Sequence, residues 1–165
     1  MFVPEMVPNQ QLSSFRDDVL LAPSKRVTVG SGREYWTEYA INGKSSLGAF
    51  LKSKSVFDLA QSAARKALSR GIKIWAQSYQ VGERIDWHRD IEGEIQLLLS
   101  VQSPDENSGG RFCLRAKHTE IALSLRNGDA ILFKATVLPH STTRIVGPIS
   151  TAPQRITAVA RFFAR

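Results

Sequence analysis

Tyr79–Gly93, YQVGERIDWHRDIEG, is the stretch on which the fold reading turns. It follows a candidate strand, Ile72–Gln80, in which apolar and polar residues alternate, and Gly82 is placed to turn the chain into the next segment. There His88 and Asp90 stand two apart, and in extended backbone residues two apart face the same side. An imidazole and a carboxylate can therefore converge. Further strand candidates follow at Glu94–Val101, Arg111–Ala116, Glu120–Leu125, Ala130–Ala135 and Arg155–Ala164. Turn residues separate them: Ser108-Gly109-Gly110, Asn127-Gly128 and Gly147-Pro148.

Upstream, RVTVGSG (26–32) and REYWTEYAI (33–41) read as two short strands, while residues 1–26, broken by Pro4, Pro8 and Pro23, read as irregular. One helix is expected over Val56–Arg70, where Val56, Leu59, Ala60, Ala63, Ala64 and Leu68 recur at helical spacing, with Ser55 as cap and Gly71 as stop. Many short strands joined by turns after one helix predict a mainly β protein, an antiparallel sandwich or barrel with helical support.

The 165 residues are 42% hydrophobic and 22% charged, which suits one globular domain. No apolar run reaches the roughly 18 residues a membrane helix needs. The first residues, MFVPEMVPNQQLSSFRDD, hold no basic stretch followed by an apolar core, so no secretory signal is expected. Cys113, the one cysteine, has no internal disulfide partner, and a reducing, cytoplasmic setting is the expectation. Lys+Arg 22 against Asp+Glu 15 gives a net charge of +7, but the basic residues are scattered. Their densest cluster, Arg65, Lys66, Arg70 and Lys73, lies on or just after the expected helix and reads as a solvated helix face before a nucleic-acid footprint.

Only three histidines are present, so each can be weighed. His140 follows the strand DAILFKA in VLPHSTTRI, and with His88 and Asp90 it completes two imidazoles and one carboxylate. That is the ligand set of non-haem Fe(II) sites, which leaves three coordination positions open. His118, among polar residues between two hairpin strands, reads as a surface turn. Trp75 and Trp87 read as core residues ahead of substrate contacts, Gly109 and Gly110 are expected in a tight turn, and Cys113 as a buried strand residue.

The order of Tyr79, His88-x-Asp90, the SGGRFCL hairpin, the RNGDAILF hairpin, His140 and the strand QRITAVARFF resembles the Fe(II)/2-oxoglutarate-dependent dioxygenases, most closely the prolyl 4-hydroxylase-like branch. The likeness runs from about Trp75 to Phe163, slightly over half of the chain. It implies a double-stranded β-helix (jelly-roll, cupin-like) core over residues 72–165, with residues 1–71 adding support strands and a helix to the same domain. It also implies His88, Asp90 and His140 as iron ligands. Arg155 matches the residue that pairs with the distal carboxylate of 2-oxoglutarate, Thr157 the hydroxyl that assists it, and Tyr79 the aromatic hydroxyl of the cosubstrate pocket.

The implied chemistry consumes O2 and 2-oxoglutarate, releases succinate and CO2, and hydroxylates a C–H bond. Relatives that halogenate need a small residue in place of Asp90, so the carboxylate favours hydroxylation. One spacing departs from the family: Arg155 follows His140 by fifteen residues, not about ten, and Gly147–Gln154 looks like an inserted loop. Arg144 is the rival anchor, with strand position favouring Arg155. Arg161 shares the face of Arg155, where a solvated arginine at the sheet end is expected ahead of one that points inward.

A small-molecule or amino-acid-like substrate is the leading expectation. Peptide and nucleic-acid substrates are less favoured; Gln77 stands where the nucleic-acid demethylating branch carries asparagine. A cupin-like metalloprotein without 2-oxoglutarate and a non-catalytic binding module remain open. Oligomeric state is not readable.

Overall fold

The computed structural model describes residues 1–29, 34–117, 119–148 and 153–165. Two antiparallel sheets face one another. The larger has strands β1 (Phe2–Val3), β2 (Ser24–Val29), β3 (Glu34–Tyr39), β4 (Leu68–Tyr79), β6 (Ile95–Gln102), β9 (Ala130–Phe133) and β11 (Arg155–Ala164), in the order β1-β9-β6-β11-β4-β3-β2. The smaller is β5 (Ile85–His88), β10 (His140–Thr142), β7 (Phe112–Ala116) and β8 (Thr119–Leu123), in that spatial order. This is the mainly β architecture expected from the strands and turns, with the jelly-roll core that the family resemblance implied.

Strand β11 shows how the sequence sorts its two faces. Ile156, Ala158, Ala160 and Phe162 point to one side and pack with Leu97 and Leu99 of β6 beneath the helices. Arg155, Thr157, Val159 and Arg161 alternate with them and face the other sheet. Helices α1 (Asn9–Leu20), α2 (Ser46–Leu51) and α3 (Lys54–Ala63) cover the first face with Leu12, Phe15, Val19, Leu47, Leu51, Val56 and Ala60. Burying such side chains contributes about 1.5–3 kcal/mol each. Between the sheets, Leu98, Phe112, Ile131 and Phe133 form a second cluster.

Three expectations need correction. Residues 1–26 are not irregular: α1 sits there, and Leu12, Phe15 and Val19 are its buried stripe. The helix expected over Val56–Arg70 runs from Lys54 to Ala63, capped by Ser53, whose hydroxyl accepts from Val56 N at 3.4 Å, rather than by Ser55. It stops early because Gln61 supplies local partners: its Oε1 accepts from Leu68 N at 2.9 Å and its Nε2 donates to Lys66 O at 3.1 Å. Ala64 is already extended, and Gly71 lies inside β4. The basic cluster is exposed as expected, but on this turn and the start of β4, not on a helix.

The strands expected over 26–32 and 33–41 are β2 and β3, although residues 30–33 between them lie outside the described residues. His118 and part of the Gly147–Gln154 loop lie outside them too. Gly109 and Gly110 form the expected turn, at φ +72 and +66. Cys113 is buried as expected. Among the described residues no helix is long and apolar enough to cross a membrane.

Candidate metal centre

Pairing of two short strands builds the site. In the β5–β10 ladder His140 lies directly opposite His88, and their rings stand 4.2 Å apart between centroids. Asp90 follows just past β5, where its backbone N–H is held by Ala135 O at 3.1 Å. The result is one donor atom from each of His88, Asp90 and His140, all within 4.8 Å of one another.

The hydrogen bonds fix the chemistry of these donors. His88 Nδ1 donates to Asp86 O at 2.8 Å, and His140 Nδ1 to Leu138 O at 3.1 Å. A backbone carbonyl can only accept, so both rings carry a proton on Nδ1, and Nε2 is the atom each neutral ring offers for a ligand bond. His88 Nε2 lies 3.8 Å from Asp90 Oδ1. His140 is buried between Phe112 and Phe133. Burial, followed by the neighbouring His88, pushes its pKa down to about 4 against the pull of Leu138 O and Asp90. It is thus neutral at physiological pH, the form that binds metal. Donor set, tautomer and convergence fit a divalent transition metal such as Fe(II).

A cleft of about 320 Å³ opens on the three donors and is lined by Tyr79, Thr142, Gln77 and Trp75 among others. Tyr79 stays a phenol: burial pushes its pKa up to about 12, and its hydroxyl donates to Gln77 Oε1 at 3.0 Å. Arg155 and Thr157 sit behind this wall, at the end of β11 paired to Tyr79. Arg155 is 3% exposed and lines a smaller cavity of about 160 Å³ under Gly109 and Gly110. Its Nη1 donates to Gly110 O at 2.6 Å and Thr142 Oγ1 at 3.4 Å, and its Nε to Thr157 Oγ1 at 3.1 Å. Thr142 thus joins the cleft to the guanidinium. Burial lowers the Arg155 pKa, but an arginine keeps its charge. Among the described residues no carboxylate lies within ion-pair distance of it, whereas Arg144 is exposed to solvent.

Three residues depart from the sequence reading. Arg161 is not solvated: its side chain is 12% exposed and points into the cleft beside Asp90. Neither tryptophan is core. Trp75 lines the cleft, and Trp87 lies on the surface under the Arg115 guanidinium, 4.3 Å from its ring centroid. Sequence reasoning also missed Trp36 and Glu38, which line the cleft from β3. The alternation in REYWTEYAI put them on one face, but only the pairing of Glu38 with Gln77 shows which face looks inward.

No protein-family model and no curated protein matches the chain. Solved structures do. A prolyl-4-hydroxylase from Pseudomonas putida matches at TM-score 0.75 and 14% identity, covering 100% of this chain and 92% of that one. A prolyl hydroxylase from Trichoplax adhaerens, solved with a hypoxia inducible factor peptide fragment, matches at TM-score 0.79 and 14% identity, covering 99% and 82%. HygX from Streptomyces hygroscopicus, solved with nickel and 2-oxoglutarate, matches at TM-score 0.76 and 13% identity, also covering 99% and 82%. Identities this low carry the architecture alone: the chain has the fold of the 2-oxoglutarate- and Fe(II)-dependent oxygenases.

Proposed function

We propose that the protein is an Fe(II)- and 2-oxoglutarate-dependent oxygenase that hydroxylates a C–H bond of a small-molecule or amino-acid-like substrate, releasing succinate and CO2. The observation that carries this reading is the convergence of His88, Asp90 and His140 within 4.8 Å, with both histidines in the ligating tautomer. When bound, the iron and its cosubstrate supply the oxidising chemistry and activate O2. The protein's part is to hold and orient. His88 and His140 present their Nε2 atoms, and Asp90 presents one carboxylate oxygen.

Arg155, a buried cation whose acceptors among the described residues are all neutral, holds the distal carboxylate of 2-oxoglutarate, assisted by Thr157. A planar guanidinium suits a carboxylate, and exposed Arg144 lacks the enclosed setting that strengthens such a pair. Tyr79 and Thr142 line the cleft between the donors and the strand that carries Arg155, and Thr142 accepts from the Arg155 guanidinium. The buried apolar flank of Phe112 and Leu98 keeps water from the metal-facing side.

The substrate class rests on cleft size. About 320 Å³ is at the small end of ligand pockets, and it has to admit cosubstrate and substrate together. Solved neighbours span both a peptide complex and a hygromycin B complex, so peptide is the competing class. In this reading residues 72–165 carry the metal site and residues 1–71 support it and lend Trp36 and Glu38 to the cleft, in one domain. The compartment is the reducing cytoplasm, which keeps iron ferrous.

The test is succinate formation from 2-oxoglutarate with Fe(II) and ascorbate, screened against amino acids, small amine and polyol metabolites, and proline-containing peptides. Turnover stimulated by a small molecule and abolished by His88→Ala supports the reading. Stimulation by peptides alone overturns the substrate class, and Fe(II)-independent turnover overturns the mechanism.

A further inference from the structure

Arg161 belongs to β11, six residues beyond the proposed cosubstrate anchor on the same inward face. Its Nη2 donates to Asp90 Oδ2 at 2.5 Å and to Gln96 Oε1 at 2.7 Å, and its Nε also donates to Gln96 Oε1 at 3.0 Å. The guanidinium carbon sits 4.9 Å from the centre of the Trp75 ring, and Nη1 lies 3.6 Å from Glu92 Oε1. The stem is fixed as well. Gly93 crosses it at φ +96, and a Cβ there would come within 2.7 Å of Arg161 Cγ. The crossing loop is tied down by Glu94 N donating to Phe162 O at 2.7 Å. A side chain fixed at so many points does not drift with its partner; Asp90 is held to it.

The consequence concerns Asp90. A carboxylate has two oxygens and can bind a metal through one or both. Here Oδ2 is occupied by a charge-assisted hydrogen bond, and Oδ1 is the oxygen that faces His88 Nε2. We infer that Arg161 is a positioning residue that restricts Asp90 to binding metal through a single oxygen. This inference rests on the metal-site reading above and adds to it a role for a residue that touches no metal. Its value is arithmetic: three protein donors leave three open positions on a six-coordinate metal, and a chelating Asp90 would occupy one of them. Cosubstrate chelation takes two, so the third, for O2, would be lost.

The test uses metal-free protein titrated with Mn(II) and, separately, Co(II), without cosubstrate or turnover. Affinity is read by Mn(II) electron paramagnetic resonance and coordination by Co(II) visible absorption. Arg161→Met keeps the stem against Gly93 but removes the donors. It is expected to weaken Mn(II) binding about 10–100-fold, the usual effect of losing a group that orients a ligand, and to change the Co(II) spectrum. Arg161→Lys keeps the charge without the fork, and is expected to recover part of the affinity but not the wild-type spectrum. Glu92→Gln removes only an outer, half-exposed partner and should stay within about fivefold of wild type with an unchanged spectrum.

Thermal melts separate a folding defect from a coordination change. A lower Tm in Arg161→Met with wild-type Mn(II) affinity and Co(II) spectrum overturns the inference, because the residue is then structural. Wild-type affinity and spectrum in Arg161→Lys also overturn it, because charge alone would suffice. Wild-type protein that binds neither metal, like His88→Ala, overturns the metal-site reading itself, and the inference falls with it.

Discussion

Replacing Arg155 by Met should separate stability from cosubstrate binding. In the free protein the substitution removes three hydrogen bonds, to Gly110 O, Thr142 and Thr157, and leaves a buried carbonyl short of one partner. That loss costs about 1–3 kcal/mol for the orphaned acceptor. Against it, the protein no longer has to hold a desolvated cation, a penalty of several kcal/mol. The two oppose each other, so the free variant should melt within about 2 kcal/mol of wild type.

Ligand-induced stabilisation behaves differently. At a 2-oxoglutarate concentration about 100 times Kd, with Mn(II) present, wild type gains about 2.7 kcal/mol. At about 2–4 °C per kcal/mol for a chain of this size, the melt should rise roughly 5–11 °C. Losing two charge-assisted hydrogen bonds removes about 3 kcal/mol or more, at least a 100-fold loss of affinity. The variant should then rise about 2 °C or less at the same concentration. Thermal shift with and without 2-oxoglutarate reads this directly, with Arg144→Met as the control that keeps the full shift. A full shift in Arg155→Met, or its loss in Arg144→Met, would refute the anchor assignment.

Other perturbations follow from the same geometry. Because His140 has a folded pKa of about 4 against about 6.5 unfolded, its neutral form supports the fold fully above pH 6.5. That contribution, about 3 kcal/mol, is lost as pH falls from 6.5 to 4, and urea titrations of metal-free protein should show a shallower acid loss in His140→Phe. Gly109→Ala puts a Cβ 2.1 Å from Arg144 O at φ +72, so the turn must move; the melt should fall by about 1–3 kcal/mol, and the 2-oxoglutarate shift should shrink with displacement of Gly110 O from Arg155. Phe162→Ala, in a fully buried site edge-on to Phe57, should cost about 3–5 kcal/mol by denaturant titration while leaving Mn(II) affinity near wild type.

The strands and the His88–Asp90 pair were legible because they obey local rules, whereas His140 was reached through the ligand set and the order of motifs. Period-two patterning marks β4 and β11, a short apolar run marks β6, and two-residue spacing puts His88 and Asp90 on one side. What was not legible depended on side-chain contacts that a pattern of apolar residues does not encode. The end of α3 is set by the Gln61 side chain bonding Lys66 and Leu68, an option invisible in a pattern of apolar residues. Helix α1 was masked by flanking prolines, although Leu12, Phe15 and Val19 carried its buried stripe. Arg161 has the same parity as Arg155, yet its burial depends on the Gly93 loop folding over the sheet end, which no spacing within QRITAVARFF reveals.

The most direct test of the central claim is an anaerobic titration of metal-free protein with Fe(II) and then 2-oxoglutarate, followed by visible absorbance. The account predicts a weak charge-transfer band that requires both additions, disappears in His88→Ala, and needs far more 2-oxoglutarate in Arg155→Met. Iron binding without a band would contradict the cosubstrate half of the account, and no iron binding at all would contradict the metal centre.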